Sequence, residues 1–392
     1  MASRSWLARR QWTVGAAAAG CLLAGCASSS APAPAPAPPP AATAPLATSL
    51  AQGNGQAWAI VEMGGSAADE NNFWELFTRP VGGTQWTLVT PPGVADNGGL
   101  VAAVPSAARG LYVAVLPSQN LTFSPLALTG DGGKTWNTGL VDASVAAVPD
   151  ALALGGGRML VLLGDGAIDQ APAATAATWT RLAAPGAIAS SAAARGCDVT
   201  ALTSVSLTAA GTPLAGASCA HPGVAGIFSQ ASGSWQAMGP SLTGKLATQP
   251  VRVLRLTQFA AAGTMALLQA GTGDTASLLA AWTTDGIYWT VSPPLAANGA
   301  QVLSTGAGPA STAAWVLLAG GHAATVAGPG AAWRQLAAPP GGTTVLAPGP
   351  GGALNALAVS GGSKLTVSRL TPAGAWQQTQ VISVPVQTGS SS

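Results

Sequence analysis

The chain has 392 residues, 15 of them Lys or Arg and 13 Asp or Glu, so charged side chains make up 7% of it where about 25% is usual. So weak a field offers no basic surface to nucleic acid, and two histidines leave little for a metal or proton-transfer site. The 51 glycines and 30 prolines argue for many turns and against long helices.

Residues 1–26 read as an export signal. Arg4, Arg9 and Arg10 precede a short apolar run, Val14 to Leu23, which is too short to span a bilayer, since spanning takes about 20 residues. The run ends in Leu23-Ala24-Gly25-Cys26. This string resembles the lipobox of bacterial lipoproteins, and the resemblance implies that Cys26 receives a diacylglyceryl group and becomes the new N-terminus. Arg9-Arg10 with Gln11-Trp12 loosely resembles a twin-arginine signal and does not decide the export route. Removing the signal leaves 12 basic against 13 acidic side chains, close to neutrality. The expected location is the outer face of the cell membrane, held there by lipid at Cys26.

Residues 27–48 are rich in Pro, Ala and Ser, have no hydrophobic period and cannot form a core. Such sequence favours polyproline geometry at about 3.1 Å per residue and acts as a semi-rigid spacer. The segment 49–386 is the expected globular body, and 387–392 a disordered tail.

Within the body, seven tryptophans recur in similar surroundings: Trp86, Trp136, Trp179, Trp235, Trp289, Trp333 and Trp376, spaced by 50, 43, 56, 54, 44 and 43 residues. Periods of this size are typical of propeller blades. Each tryptophan follows a short apolar run bounded by turn formers: AWAIVEM, LYVAVL, RMLVLL, TPLAGA, TMALLQA, AAWVLLA and ALNALAV. Runs of that length read as buried strands. The sixth repeat shows the plan best, with QVLSTGA, AAWVLLAG, HAATVAG and AWRQLAAP as four successive strands. The expected fold is all-β: a seven-bladed β-propeller of four-stranded antiparallel blades, each burying its faces against its neighbours.

Other stretches carry candidate chemistry. EMGGSAADENNFWEL holds Glu62, Asp69, Glu70 and Glu75, followed by Arg79; these are possible ligand contacts in a loop after the first blade's second strand. Asp165 and Asp169 in GDGAIDQ lack the further oxygens of a calcium loop and read as a turn. Cys197 and Cys219 flank a turn at Ala210 to Pro213, and in an oxidising compartment they are expected to form a disulfide between adjacent antiparallel strands. There is no CxxC, HExxH, GxSxG or phosphate-binding glycine loop, so no cofactor or metal is expected.

TGDGGKTW, Thr129 to Trp136, resembles the Asp-box, or BNR repeat, of sialidase-like and related propellers: Thr129, Asp131, Gly133, Thr135 and Trp136 occupy its five defined positions. TTDGIYW is a shortened version keeping Asp285, Gly286 and Trp289. The resemblance implies a hairpin between a blade's third and fourth strands. The Asp is expected to accept turn N–H groups, glycine to take angles closed to other residues, and the indole to fold under the turn. Both aspartates are therefore read as structural.

The same resemblance raises a sialidase-like glycoside hydrolase as the alternative function. That family uses three arginines, a Tyr–Glu pair, an Asp and an Arg-Ile-Pro string. Here the string is absent, Tyr112 and Tyr288 are the two tyrosines, and all three glutamates crowd into the first repeat. No catalytic residue is assigned. The favoured reading is a monomeric, lipid-anchored propeller that binds a protein or glycan, similar in repeat type to photosystem assembly factors and sortilin-like receptors. Arg79, Arg109, Arg252, Arg255 and Trp74 are its expected exposed contacts.

Overall fold

A computed structural model describes residues 49–53, 55–64, 73–91, 99–103, 113–117, 122–176, 178–259, 263–308 and 312–385, with backbone only for 99–103 and 113–117. The expected signal, Cys26 and linker, the tail 387–392, Asp69, Glu70, Arg109 and Tyr112 lie outside the described residues. Among those residues there is no α-helix, and no helix is long and apolar enough to cross a membrane.

The strands follow one plan. The first sheet holds β1 (Leu50–Gly53), β2 (Gln56–Met63), β3 (Phe73–Arg79) and β4 (Thr87–Leu88); the second holds β5 (Gly99–Ala103), β6 (Val113–Pro117), β7 (Ser124–Thr129) and β8 (Asn137–Val141). The third is β9 (Leu152–Gly155), β10 (Arg158–Leu162), β11 (Ile168–Pro172) and β12 (Thr180–Ala183). Two further meanders come next. One is β13 (Val199–Leu207), β14 (Pro213–Cys219), β15 (Gly226–Ala231) and β16 (Ser234–Ala237). The other is β17 (Val251–Phe259), β18 (Gly263–Ala270), β19 (Ser277–Thr283) and β20 (Thr290–Val291), with the short β21 (Leu295–Ala296) also on β19. Bridging of Ser218 and Cys219 to Arg252 and Val251 joins the two meanders into one nine-stranded sheet. The last sheets are β22 (Val302–Ala307), β23 (Ala314–Leu318), β24 (His322–Val326), β25 (Arg334–Gln335), then β26 (Thr343–Pro348), β27 (Leu354–Ser360), β28 (Lys364–Leu370) and β29 (Trp376–Ser383). Every pairing between named strands is antiparallel, which short turns permit and parallel pairing would not.

Burial explains the apolar runs. They form the second strand of each meander, and β2, β18 and β23 are buried almost end to end because sheets cover both faces. Fourth strands are the more exposed ones, and β4, β20 and β25 are only two residues long. The sixth repeat forms the four strands expected of it, the outermost reduced to Arg334–Gln335. First strands pack on one another in chain order, β1 on β5, β5 on β9, β9 on β13, β13 on β17, β17 on β22 and β22 on β26, and β26 returns to β2. Four of them, β13, β17, β22 and β26, carry a register shift near Thr203, Leu254, Leu303 and Thr344, a bulge that bends a strand and re-aims side chains.

Closure joins a first sheet made only of early strands to a last sheet made only of late ones, so no shared strand holds the ring shut. Side contacts do. Gln380 on β29 takes the Trp86 N–H on Oε1 at 2.8 Å and donates Nε2 to the Trp86 carbonyl at 2.8 Å. Gly64 donates its N–H to the Gly362 carbonyl at 2.8 Å. One apolar core runs through the seam, from Ala57, Phe77 and Trp86 to Leu346, Leu357 and Val384.

Each repeated tryptophan stands at or beside the start of a fourth strand, as expected, but its indole does more than fold under its own turn. Trp179 donates its ring N–H to the Leu140 carbonyl, Trp289 to Met238, Trp376 to Ala337 and Trp333 to the Ser292 hydroxyl, each at the fourth strand of the preceding meander. Trp136 meets Trp58 of the first sheet edge-on, with ring centroids 6.5 Å apart. In Trp179, Trp289, Trp333 and Trp376 the ring thus fastens the outer strand to its neighbour, combining apolar contact with a directed polar tip.

The expected disulfide forms: Cys197, just before β13, and Cys219, at the end of β14, are bonded, with Cα atoms 4.9 Å apart. Gly226 lies directly beneath, where a Cβ would sit 2.8 Å from the Cys219 sulfur, so only glycine fits.

Candidate functional site

The two aspartate turns can be followed atom by atom. Thr129 Oγ1 donates to Asp131 Oδ1 at 2.8 Å and accepts the Gly133 N–H at 2.9 Å. The same Oδ1 accepts the Lys134 and Thr135 N–H groups at 3.0 Å each, and Oδ2 accepts the Thr135 hydroxyl at 2.6 Å. The second turn is one residue shorter: Thr283 bonds Asp285 Oδ1, which accepts the Ile287 and Tyr288 N–H groups at 2.8 and 2.9 Å. Thr283 plays the part of Thr129, although the sequence pattern singled out only Asp285, Gly286 and Trp289 there. Gly133 and Gly286 both have positive φ, and a Cβ on Gly133 would press on Val89 at 3.0 Å. Both carboxyls are held below the usual carboxylate range. Thr135, by its hydroxyl and then its N–H, dominates for Asp131, and the Tyr288 and Ile287 N–H groups for Asp285. With their oxygens occupied by the turn, these carboxylates are acceptors fixed in place.

The other candidates scatter. Glu62 and Glu75 lie on paired strands with Glu62 opposite Trp74 and Glu75 opposite Val61, so they point to opposite faces of the sheet and form no carboxylate pair. Burial raises the Glu62 pKa, while buried Glu75 accepts the Thr90 hydroxyl. Trp74 is half-buried against Trp58, Ile60 and Leu76. Asp165 takes the Ala167 N–H in a turn, and Asp169 pairs across strands with Arg181. Among the described residues no three His, Cys, Asp or Glu converge as metal ligands do.

The arginines depart from the expectation of exposed contacts. Arg79 is buried, and its guanidinium is engaged by backbone carbonyls: Nε donates to Pro348 at 3.2 Å, Nη1 to Gly83 at 3.1 Å and Nη2 to Gly55 at 3.3 Å. It bridges the first and last sheets, and burial lowers its pKa. Arg255 is buried as well, with Nη2 3.0 Å from Asp150 Oδ1. That approach is an ion pair without a well-aligned hydrogen bond, since Nη2 and the other Asp150 oxygen lack directed partners. Composition cannot show that these cations face inward; the fold supplies carbonyls and a carboxylate that retain them.

Two cavities occupy opposite ends of the first strands. One, of about 640 Å³, is lined by Gln52, Gln56, Arg79, Trp315 and the Pro348 to Leu354 turn, together with Gly308 at the C-terminal end of β22. Gln52 donates Nε2 to the Ala307 carbonyl, leaving Oε1 buried without a partner. Trp315 lies flat enough on Gly306 that a Cβ there would come within 2.3 Å of its ring. The other cavity, of about 250 Å³, takes Gln301 and Val302 from the opposite end of β22, with Arg252 and Thr203. Neither lining includes Asp, Glu, His or Tyr. Sequence reading missed both, because each is assembled from turns far apart in the chain.

No family model matches the sequence, and no curated protein matches it. Solved structures do. The β-propeller domain of Cps50 (Swd1) from Myceliophteria thermophila superposes with a TM-score of 0.51 at 11% identity, covering 86% of this chain and 97% of that one. The fold is a β-propeller. YCF48 from Cyanidioschyzon merolae aligns at a TM-score of 0.44 and 14% identity over 82% of this chain and 93% of its own. The fucose-specific lectin from Aleuria aurantia gives 0.44 and 12% over 90% and 100%. The propeller assignment rests on the closed order of sheets and on the first of these likenesses, and identities this low speak to fold alone.

Proposed function

We propose that this chain is an extracytoplasmic lipoprotein, anchored through an acylated Cys26, whose seven-bladed propeller is a non-catalytic binding or assembly scaffold for a protein or a glycan. In this reading Thr129 to Trp136 and Thr283 to Trp289 are Asp-boxes that brace two blades. One observation carries the binding role. The larger cavity opens among turns of the first and last two sheets and is lined by the amide side chains of Gln52 and Gln56, by Trp315 and by a glycine-rich turn, without a carboxylate. Indole and amide groups suit sugar rings or peptide backbone. A glycosidase of the usual kind instead needs two carboxylates across a sugar bond, about 5 to 10 Å apart.

Two measurements test the proposal. Cys26→Ser should move the protein from the membrane to the soluble fraction and abolish incorporation of labelled acyl chains; persistent labelling refutes the anchor. Purified body should capture a glycan or peptide from defined arrays, and Ala353→Trp, which fills the cavity, should abolish capture with circular dichroism unchanged. Hydrolysis of a fluorogenic sialoside by the wild-type protein would replace the scaffold reading with the hydrolase.

A further inference from the structure

The smaller cavity holds an unresolved electrostatic problem. Arg252, on β17, lines it half-buried, and burial lowers its pKa. Its Nε is buried with no hydrogen-bond partner, and the ion pairs among the described residues are Arg181–Asp169 and Arg255–Asp150, so no carboxylate answers this charge. Thr203, from the bulged β13 of the adjacent meander, lines the same space, and its Oγ1 is also buried without a partner. Two side chains with unsatisfied polar atoms, from separate meanders, therefore line one cavity. Leaving a buried Nε–H without an acceptor is costly.

We propose that this cavity binds a small monocarboxylate with an apolar body, its carboxylate paired with the Arg252 guanidinium and accepting the Thr203 hydroxyl. The planar fork of arginine matches a carboxylate in two parallel hydrogen bonds. Charge count favours a monoanion. Arg252 offers one positive charge, the adjacent Arg255 is already neutralised by Asp150, and Asp274 at the rim rests on Gly299, where a Cβ would lie 2.4 Å from its Oδ1. A second negative charge on the ligand would meet that carboxylate. Val253, Leu254 and Val302 supply an apolar wall, and 250 Å³ is room for about eight water-sized groups, which suits a benzoate-sized molecule. The site lies at the opposite end of the strands from the larger cavity and does not depend on the protein- or glycan-binding reading.

Titration calorimetry of the folded protein with acetate, butyrate, benzoate and the neutral analogue benzamide tests this. Benzoate should bind more tightly than benzamide, and Arg252→Gln should weaken it roughly ten- to hundredfold, the worth of a charge-assisted hydrogen bond. Arg334→Gln, on the exposed β25, should leave affinity unchanged. If Arg252→Gln does not fold, Thr203→Val serves in its place, with a several-fold loss expected. No heat with any of the three carboxylates overturns the proposal. So does equal binding of benzamide, or affinity undiminished in whichever variant folds.

Discussion

Replacing Gln380 with alanine tests whether the ring is held shut where the structure shows it. This side chain, on the outermost strand of the last sheet, makes two hydrogen bonds of 2.8 Å to both backbone polar groups of Trp86 in the first. A net hydrogen bond contributes about 1 kcal/mol, and truncation strands the Trp86 donor and acceptor at a partly buried site, so the loss should be about 2 kcal/mol. The described body runs from 49 to 385, roughly 340 residues, and an unfolding entropy near 2.1 cal/mol/K per residue converts that loss to a fall in Tm of about 3 °C. The assay is urea unfolding followed by tryptophan fluorescence, alongside a thermal scan. Gln378→Ala, at an exposed position two residues away, is the control and should cost under about 0.5 kcal/mol. If Gln380→Ala behaves like the control, the seam between first and last sheets is not held by this latch and the account of closure fails.

Three further outcomes follow from the same geometry. Replacing Cys197 and Cys219 by serine releases a loop closed across a separation of 22 residues, which should cost about 3 kcal/mol; a variant as stable as the reduced wild-type protein is expected, and one as stable as the oxidised form would refute it. Asp131 and Asp285 have depressed pKa values, so the stability they confer is complete above about pH 4 and disappears as pH falls through their folded-state values. The double Asp→Asn variant should accordingly show a flatter acid limb of Tm against pH. Arg255→Ala leaves Asp150 buried and unpaired, costing about 3 kcal/mol at neutral pH. Burial already raises the Asp150 pKa, so this penalty should shrink as pH falls and the carboxyl protonates; a pH-independent loss would show that the pair is not the cause.

Much of the fold was legible because a propeller repeats itself. The seven apolar runs became second strands, and the tryptophans marked the fourth, because a strand covered on both faces must be apolar throughout and a rim strand needs one large anchor. Reading was less successful wherever a partner came from another repeat. Arg79 looked like a surface charge beside an acidic loop, yet it clamps Pro348, some 269 residues away. The shortened turn was read without Thr283, although Thr283 keeps to Asp285 the same two-residue spacing as Thr129 to Asp131 and its hydroxyl does the same work.

Local chemistry was therefore settled by the sequence: which segments form strands, where hairpins turn, which aspartates brace them, and that two cysteines on neighbouring strands can meet. These depend on contacts within a few residues or one hairpin, and periodicity records such contacts. Tertiary structure alone decided that the first sheet meets the last, that two arginines lie buried, and that Arg252 and Thr203 line one cavity. Those outcomes depend on how separate sheets pack around an axis, and no window of sequence holds both sides of such a contact.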